Sequence, residues 1–345
     1  MSRFNKAVGI GGIGAGMLFL TSNNASLGRS ESRLVELSDA KDYCKQHIVF
    51  HYIAALLCPD VKVYPVGYVG NDAHGAALLD EMRKVGMDVS WVKTHESLPT
   101  MISICLQYPD KETCNFTASN SACDEVTPKY TIDSMDAIGI DAGTIVAALP
   151  EVQFESRIQM LKSGKEKGAF CCLSILESEA DDFKKADIWH CCDLLALNLG
   201  EAHALAPEES SDSKKLISGL YEYLRKCNPD IMLIVTCGKD GAFTSYKGHV
   251  EFVPTMTVDA INTTGAGDAF LGGLISGLAM NMPLQKGCSD NRFGETPLQS
   301  AAELGAICAG MAVETVDTIA KKVSQSSVLE RVTRHNFTRG AGFLS

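Results

Sequence analysis

The chain has 345 residues, 46% hydrophobic and 21% charged, enough to bury a large core without help from metals or disulfides. Thirty-one basic residues stand against forty-two acidic ones, a net charge of −11. That sign repels a phosphate backbone, so no nucleic-acid partner is expected, although a few local donors suffice to hold a small anion.

Residues 7–13 read as a short apolar strand running into glycines. The polar, Ser/Asn-rich text of 17–37 suits an exposed strand pair. Helical spacing follows over 39–57, with Ile48, Tyr52 and Ala55 on one side. A repeating cadence then begins. Residues 61–66 form a strand, 72–85 a helix stopped at Gly86, and 101–106 and 113–117 two strands about a Pro-Asp turn. The runs 144–149, 169–173, 194–197 and 232–235 are short apolar strands, separated by helical stretches at 154–167, 180–186 and 213–226. Fully apolar strands alternating with amphipathic helices predict an α/β fold, a mostly parallel sheet covered on both faces. No repeat or linker divides the chain, so a single domain over 1–345 is expected, with a small β lid from segments near 17–37 and 90–117.

No apolar run approaches the ~20 residues of a membrane span, and the N-terminus lacks a signal-peptide pattern. The thirteen cysteines are odd in number and without disulfide-like spacing. They read as buried free thiols in a reducing compartment, so a cytoplasmic protein with no membrane partner is expected.

Chemistry concentrates in Asn262-Thr-Thr-Gly-Ala-Gly-Asp-Ala-Phe270, where a polar strand end enters a Gly-Ala-Gly turn that opens an apolar helix. Backbone N–H groups of Gly265, Ala266 and Gly267 would lack intrahelical partners and, with the helix dipole, form an anion site. Asp268, in the first turn, is placed to take a proton from a hydroxyl aimed at the same phosphorus. The plainer alternative is that Thr264 or Asp268 only caps the helix and the glycines only allow close packing.

The whole nonapeptide resembles the C-terminal signature of the ribokinase / phosphofructokinase-B family of sugar and nucleoside kinases. Three further segments fall in the order such a kinase requires. The stretch from Val66 through Gly75, with Gly86-Met-Asp88, resembles its early strand–turn–helix; Asn198-Leu-Gly-Glu201 resembles its Asn-x-x-Glu motif; Val235-Thr-Cys-Gly-Lys-Asp-Gly-Ala242 resembles its nucleotide strand. The resemblance spans roughly 7–315 and implies a ribokinase-like fold, ATP with Mg²⁺, and transfer to a hydroxymethyl group of a sugar, nucleoside or related alcohol. It implies Asp268 as base, Gly265–Gly267 as anion hole, and Asn198 with Glu201 ordering magnesium through water. Thr236, Gly238 and Gly241 would line the nucleotide, and Ala306 to Gly310 flank the adenine. It also suggests a K⁺ site near Asp259 and Ala260, and a homodimer through the lid. Taken alone, Asn198 and Glu201 also read as a helix cap, and the Asp-Gly turn at Gly241 as an ordinary hairpin.

Three departures concern the acceptor end. Family members carry an Asp about five residues after the first-strand glycine, but the run from Gly9 to Gly16 contains no carboxylate. The Gly-Gly-x-x-x-Asn-x-Ala of the next helix is replaced by a stretch beginning Gln46-His47 and containing His51. The leading Asp of the signature is Asn262. Gly14, Gly16, His47, His51 and Asn120 are the acceptor-binding candidates, and an atypical acceptor is expected.

Three rival readings remain. Gly9-x-Gly11-x-x-Gly14 has dinucleotide-fingerprint spacing, which would suit an NAD-dependent oxidoreductase if a helix opened at the third glycine. Cys44, His47 and His51 fall at i, i+3 and i+7 on one predicted helix face and suggest a metal site with no evident fourth ligand. A non-catalytic ligand sensor on a kinase scaffold is the third. No Gly-Lys-Ser/Thr loop or protein-kinase motif set is present.

Overall fold

The computed structural model describes residues 3–110, 112–286 and 298–335. In chain order the elements begin with β1 (Lys6–Ile10), β2 (Gly14–Leu20), β3 (Glu36–Tyr43), α1 (Lys45–Leu57), β4 (Lys62–Gly70), α2 (Ala73–Lys84), β5 (Val92–His95), β6 (Met101–Gln107) and β7 (Thr113–Thr117). There follow α3 (Pro128–Ile138), β8 (Thr144–Ala148), α4 (Phe154–Glu166), β9 (Phe170–Ser174), α5 (Ala180–Ala186), β10 (Leu194–Asn198), α6 (Leu199–Leu205) and α7 (Ser213–Cys227). The chain continues through β11 (Met232–Thr236), β12 (Ala242–Tyr246), β13 (His249–Val253), α8 (Ala266–Ala279), α9 (Ala301–Val313) and α10 (Gln325–His335).

Nine strands form the main sheet in the order β13-β12-β11-β10-β9-β8-β1-β4-β5. It is parallel from β11 to β5, and β12 and β13 close one edge as an antiparallel hairpin. Period-two side-chain direction divides each central strand between two cores. Ala7, Ile145 and Ala147 face α1, α8, α9 and α10, whereas Val8, Val146 and Ala148 face α3 to α7. That two-sided burial is why these strands are continuously apolar.

A second sheet, in the order β3-β2-β6-β7, forms the lid. Its pairing sets Asp42, Gly16, Ser103 and Thr117 in one row and Lys41, Met17, Ile104 and Phe116 in the next. Asp42 and Ser103 are buried, while Met17, Ile104 and Phe116 are exposed, so the rows mark the inner and outer faces. Gln107 Nε2 donates to Asn262 Oδ1 at 3.3 Å, and the Tyr43 N–H donates to Thr318 Oγ1 at 3.1 Å, tying the lid to the loops around the signature.

Four expectations shift. The helix expected over 39–57 begins only at Lys45, because residues up to Tyr43 pair with β2. The strand pair expected within 17–37 instead runs over 14–20 and 36–43, with the polar text between them. Within 90–117, β5 joins the main sheet and only β6 and β7 belong to the lid. Gly14 opens a strand where a dinucleotide fingerprint needs a helix, which removes the oxidoreductase reading. Among the described residues, no helix is long and apolar enough to cross a membrane.

Candidate active site

The signature turn stands at the N-terminus of α8. Gly265 is its N-cap at φ +78°, a left-handed conformation that side chains resist, and a Cβ there would meet the Thr318 carbonyl oxygen at 2.9 Å. The helix behind it packs closely through small residues: a Cβ on Gly272 would lie 2.6 Å from the Val49 carbonyl, and one on Gly273 2.7 Å from Cys308 Sγ. Close packing and site geometry are therefore both present.

Asp268, in the first turn of α8, keeps 19% of its side chain exposed and lines a cleft of about 700 Å³. Burial raises its carboxyl above the ordinary range, and the Lys45 ammonium, 3.6 Å from Oδ1, pulls it partly back. Lys45 is the first residue of α1, a position where the helix dipole disfavours a cation. Its partners offset that cost: besides Asp268 it faces Glu201 Oε1 at 4.0 Å and donates to Ser174 Oγ at 3.0 Å. Burial alone would lower the ammonium pKa, but the Asp268 and Glu201 charges leave it raised.

Asn198 and Glu201 form a reciprocal capping box on α6. The Asn198 N–H donates to Glu201 Oε2, and the Glu201 N–H donates to Asn198 Oδ1, both at 2.8 Å. The same two residues line the cleft, so capping and a site position coincide. Burial raises the Glu201 carboxyl. The Asp-Gly turn likewise closes the β11–β12 hairpin and lines the cleft through Gly238 and Gly241. Thr236 ends β11, and a Cβ on Gly267 would stand 3.6 Å from its hydroxyl, so the two motifs abut. Ala306 and Gly310 of α9 complete the lining, with Gly265, Ala266 and Gly267 at the other end.

The acceptor-end candidates do not converge in this way. His47 and His51 are buried; desolvation lowers their pKa to about 3 and about 4, with the His51 charge acting on His47 and those of Glu81 and Lys321 on both. His47 packs edge-on to Tyr43 with ring centroids 4.7 Å apart, and neither histidine lines the cleft. Asn120 is exposed in the segment after β7. Cys44 is the N-cap of α1, not a helical residue, and lies toward Gly14, off the histidine face. Among the described residues, no group of three or more His, Cys, Asp or Glu could hold a metal ion, which removes the Cys44–His47–His51 site.

Gly14 and Gly16 do lie on the lid strand, and carboxylates absent from their own segment arrive there from elsewhere. A Cβ on Gly16 would overlap the Asp42 carboxyl, and one on Gly12 would stand 2.6 Å from Glu151 Cβ. Burial raises Asp42 to about 6, against the Tyr43 N–H that stabilises its anion. Burial raises Glu151 to about 7, with Lys45 opposing and Asp268 adding to the shift. The sequence reading missed Lys45, Asp42 and Glu151. One of them carried a signal: Glu151 lies just beyond the carboxyl end of a buried parallel strand, where such sheets bind ligands.

Near the proposed K⁺ position, Asp259 and Ala260 are exposed, and Asn262 Nδ2 donates to the Val316 carbonyl at 2.9 Å.

The sequence profile of the pfkB family carbohydrate kinases matches residues 49–325. The chain belongs to the pfkB family of carbohydrate kinases. It is accordingly a small-molecule kinase with a ribokinase-like fold. Among relatives of this family, a fructokinase of Klebsiella pneumoniae is 27% identical over 259 residues, 70% of this chain and 78% of that one. A ribokinase of Lactococcus lactis is 25% identical over 230 residues, covering 67% and 70%. The solved ribokinase of Giardia lamblia superposes with a TM-score of 0.78 at 19% identity over 94% of this pfkB chain and 99% of its own. Arabidopsis thaliana ribokinase, solved with ribose and ATP, gives 0.71 at 17% identity over 95% and 99%.

Proposed function

We propose that this kinase transfers the γ-phosphoryl group of ATP to a hydroxymethyl group of a sugar, nucleoside or related small alcohol. The observation that carries this reading is the convergence of Asp268, the Gly265–Gly267 turn and the Asn198, Glu201 and Thr236 side chains on one cleft. The nucleotide lies along Thr236, Gly238, Gly241, Ala306 and Gly310, and its terminal phosphate meets the N–H groups that open α8. Asp268 takes the proton of the acceptor hydroxyl. Lys45 holds the Asp268 carboxylate in its charged form and adds positive charge beside the transferring group. The lid covers the site and limits loss of phosphate to water.

Magnesium fits the donor set. Glu201 uses Oε2 for the cap and lines the cleft with Asn198, while Oε1 lies 4.0 Å from Lys45 Nζ, so the pair would order the ion through water beside the phosphate oxygens. When bound, the ion offsets phosphate charge. Relatives named fructokinase and ribokinase favour a monosaccharide acceptor. The whole chain acts as one kinase unit in the cytoplasm, and the exposed lid row of Met17, Ile104 and Phe116 supports a homodimer through the lid.

An ADP-release screen over pentoses, hexoses and nucleosides tests the reading. Acceptor- and Mg²⁺-dependent turnover is expected with at least one of them. ATP binding without turnover on any acceptor would favour the sensor reading instead.

A further inference from the structure

Three glycines alternate along the segment that opens the lid, and each lies under a side chain from another element. Glu151 covers Gly12, Cys44 and Met101 cover Gly14, and Asp42 covers Gly16, with Asp42 Cγ only 2.6 Å from where a Gly16 Cβ would stand. The register explains the last pair, since Asp42 and Gly16 are direct partners across β3 and β2, with Ser103 next in the row on β6. Gly14 and Gly16 lie on the inner face of the lid, and Gly12 leads into it. Asp42 is 6% exposed; it accepts the Tyr43 N–H at 2.9 Å, is held by the Thr318 hydroxyl, and lies 3.5 Å from Ser103 Oγ. Thr318 also presses on Gly265, so Asp42 is one residue removed from the anion-binding turn. Oε2 of Glu151 is buried with no hydrogen-bond partner, and the Cys44 thiol is the side-chain donor beside that carboxyl. A buried acceptor atom left in that state costs free energy unless a ligand supplies the donor.

We propose that Asp42, supplied by the lid across Gly16, is the acceptor-recognition carboxylate of this kinase, acting with Glu151 on an uncharged polyol. The inference rests on the kinase reading above and names the substrate class of that same site. Its chemistry follows from the charges present. The charges of Asp42, Glu151 and Asp268 act on one another, Lys45 opposes those of Glu151 and Asp268, and Lys45 is already shared with Glu201. Carboxylates accept hydrogen bonds from sugar hydroxyls and repel a second anion. Sugar acids and sugar phosphates are therefore refused, and neutral sugars with free hydroxyls flanking the reacting one are taken.

The test uses the full chain with ATP and Mg²⁺. D-ribose and D-fructose are compared with ribonate and ribose 5-phosphate, by ADP release and by calorimetric binding. Uncharged sugars are expected to bind and the anionic ones to fail. Asp42→Asn is expected to raise the acceptor KM or Kd by ~10- to 100-fold, the worth of a hydrogen bond to a charged group, with the KM for ATP unchanged. Ser103→Ala, a milder change on the same carboxylate, is expected to weaken the acceptor alone by a few fold. Moving the carboxylate across the row, in the double variant Asp42→Gly with Gly16→Asp, is expected to restore binding lost in Asp42→Gly. Tighter binding of an anionic sugar, binding of none of the panel, or an unchanged acceptor constant in Asp42→Asn overturns the proposal. Asp42-dependent sugar binding without ADP release would uphold it while sinking the kinase reading.

Discussion

Lys45 Nζ lies 3.6 Å from Asp268 Oδ1, so the residue that opens α1 and a residue in the first turn of α8 share one charge pair at the floor of the cleft. The pair joins two helices that also pack on each other through Gly272. Neither partner is held by a neighbour in sequence.

Asp268→Asn removes the proton acceptor and leaves its volume. Turnover is expected to fall by roughly 100- to 10,000-fold, the usual share of general-base help. ATP affinity, measured by calorimetry, stays near that of the parent, because the amides of the turn are untouched.

Lys45→Met removes the cation that opposes the burial-driven rise of the Asp268 carboxyl. The carboxyl pKa then rises further, so the acidic limb of the kcat profile moves to higher pH. A pH–rate series on both proteins checks this, and an unmoved limb would separate Lys45 from the base.

Glu151 gives stability a pH dependence of known sign. Its carboxyl is raised from 4.5 to about 7, so between those values the native state holds more proton than the unfolded chain. The contribution is complete below pH 4.5 and lost as pH rises through about 7. Asp42, raised to about 6, acts in the same direction from pH 3.8 upward. Melting temperature of the ligand-free protein should therefore decline over that interval from these two groups, and Glu151→Gln should flatten the decline.

Gly265→Ala puts a Cβ on a residue at φ +78° and 2.9 Å from the Thr318 carbonyl. The left-handed backbone alone costs about 1–2 kcal/mol. Denaturant unfolding should register at least that loss, and turnover should fall with it because the turn must shift.

Asn262→Asp replaces the amide that donates to the Val316 carbonyl by a second acceptor. Turnover of the parent and of the variant is compared in potassium and in a bulky organic cation. The variant is expected to be activated by potassium.

The phosphoryl-transfer end was legible because its parts are local. A left-handed turn, a cap three residues from its partner and a hairpin glycine each need a particular residue at a fixed offset, so Gly265, Asn198 with Glu201, and Gly241 leave readable strings. The proposed acceptor end draws on β2, β3, the start of α1 and the segment after β8, and no single string spans it. Asp42 was hidden for a further reason. Residues 39–43 continue the polar–apolar spacing of α1, and only pairing with β2 makes them a strand. The two histidines attracted notice for their chemistry; both are buried, His47 against Tyr43 and His51 against Tyr52. The main sheet was recoverable because two-sided burial imposes uniformly apolar strands.

The double duty of Glu201 bears on how such enzymes lose their activity. Its carboxylate starts α6 whether or not a metal ever binds, so folding alone is enough to preserve it through generations of disuse. Asp268 forms no such cap on α8, and its one structural partner among the described residues is the Lys45 ammonium, a charge that Glu201 also faces. A descendant that had abandoned catalysis would keep the first residue and shed the second, which makes Asp268 the better marker of a living enzyme.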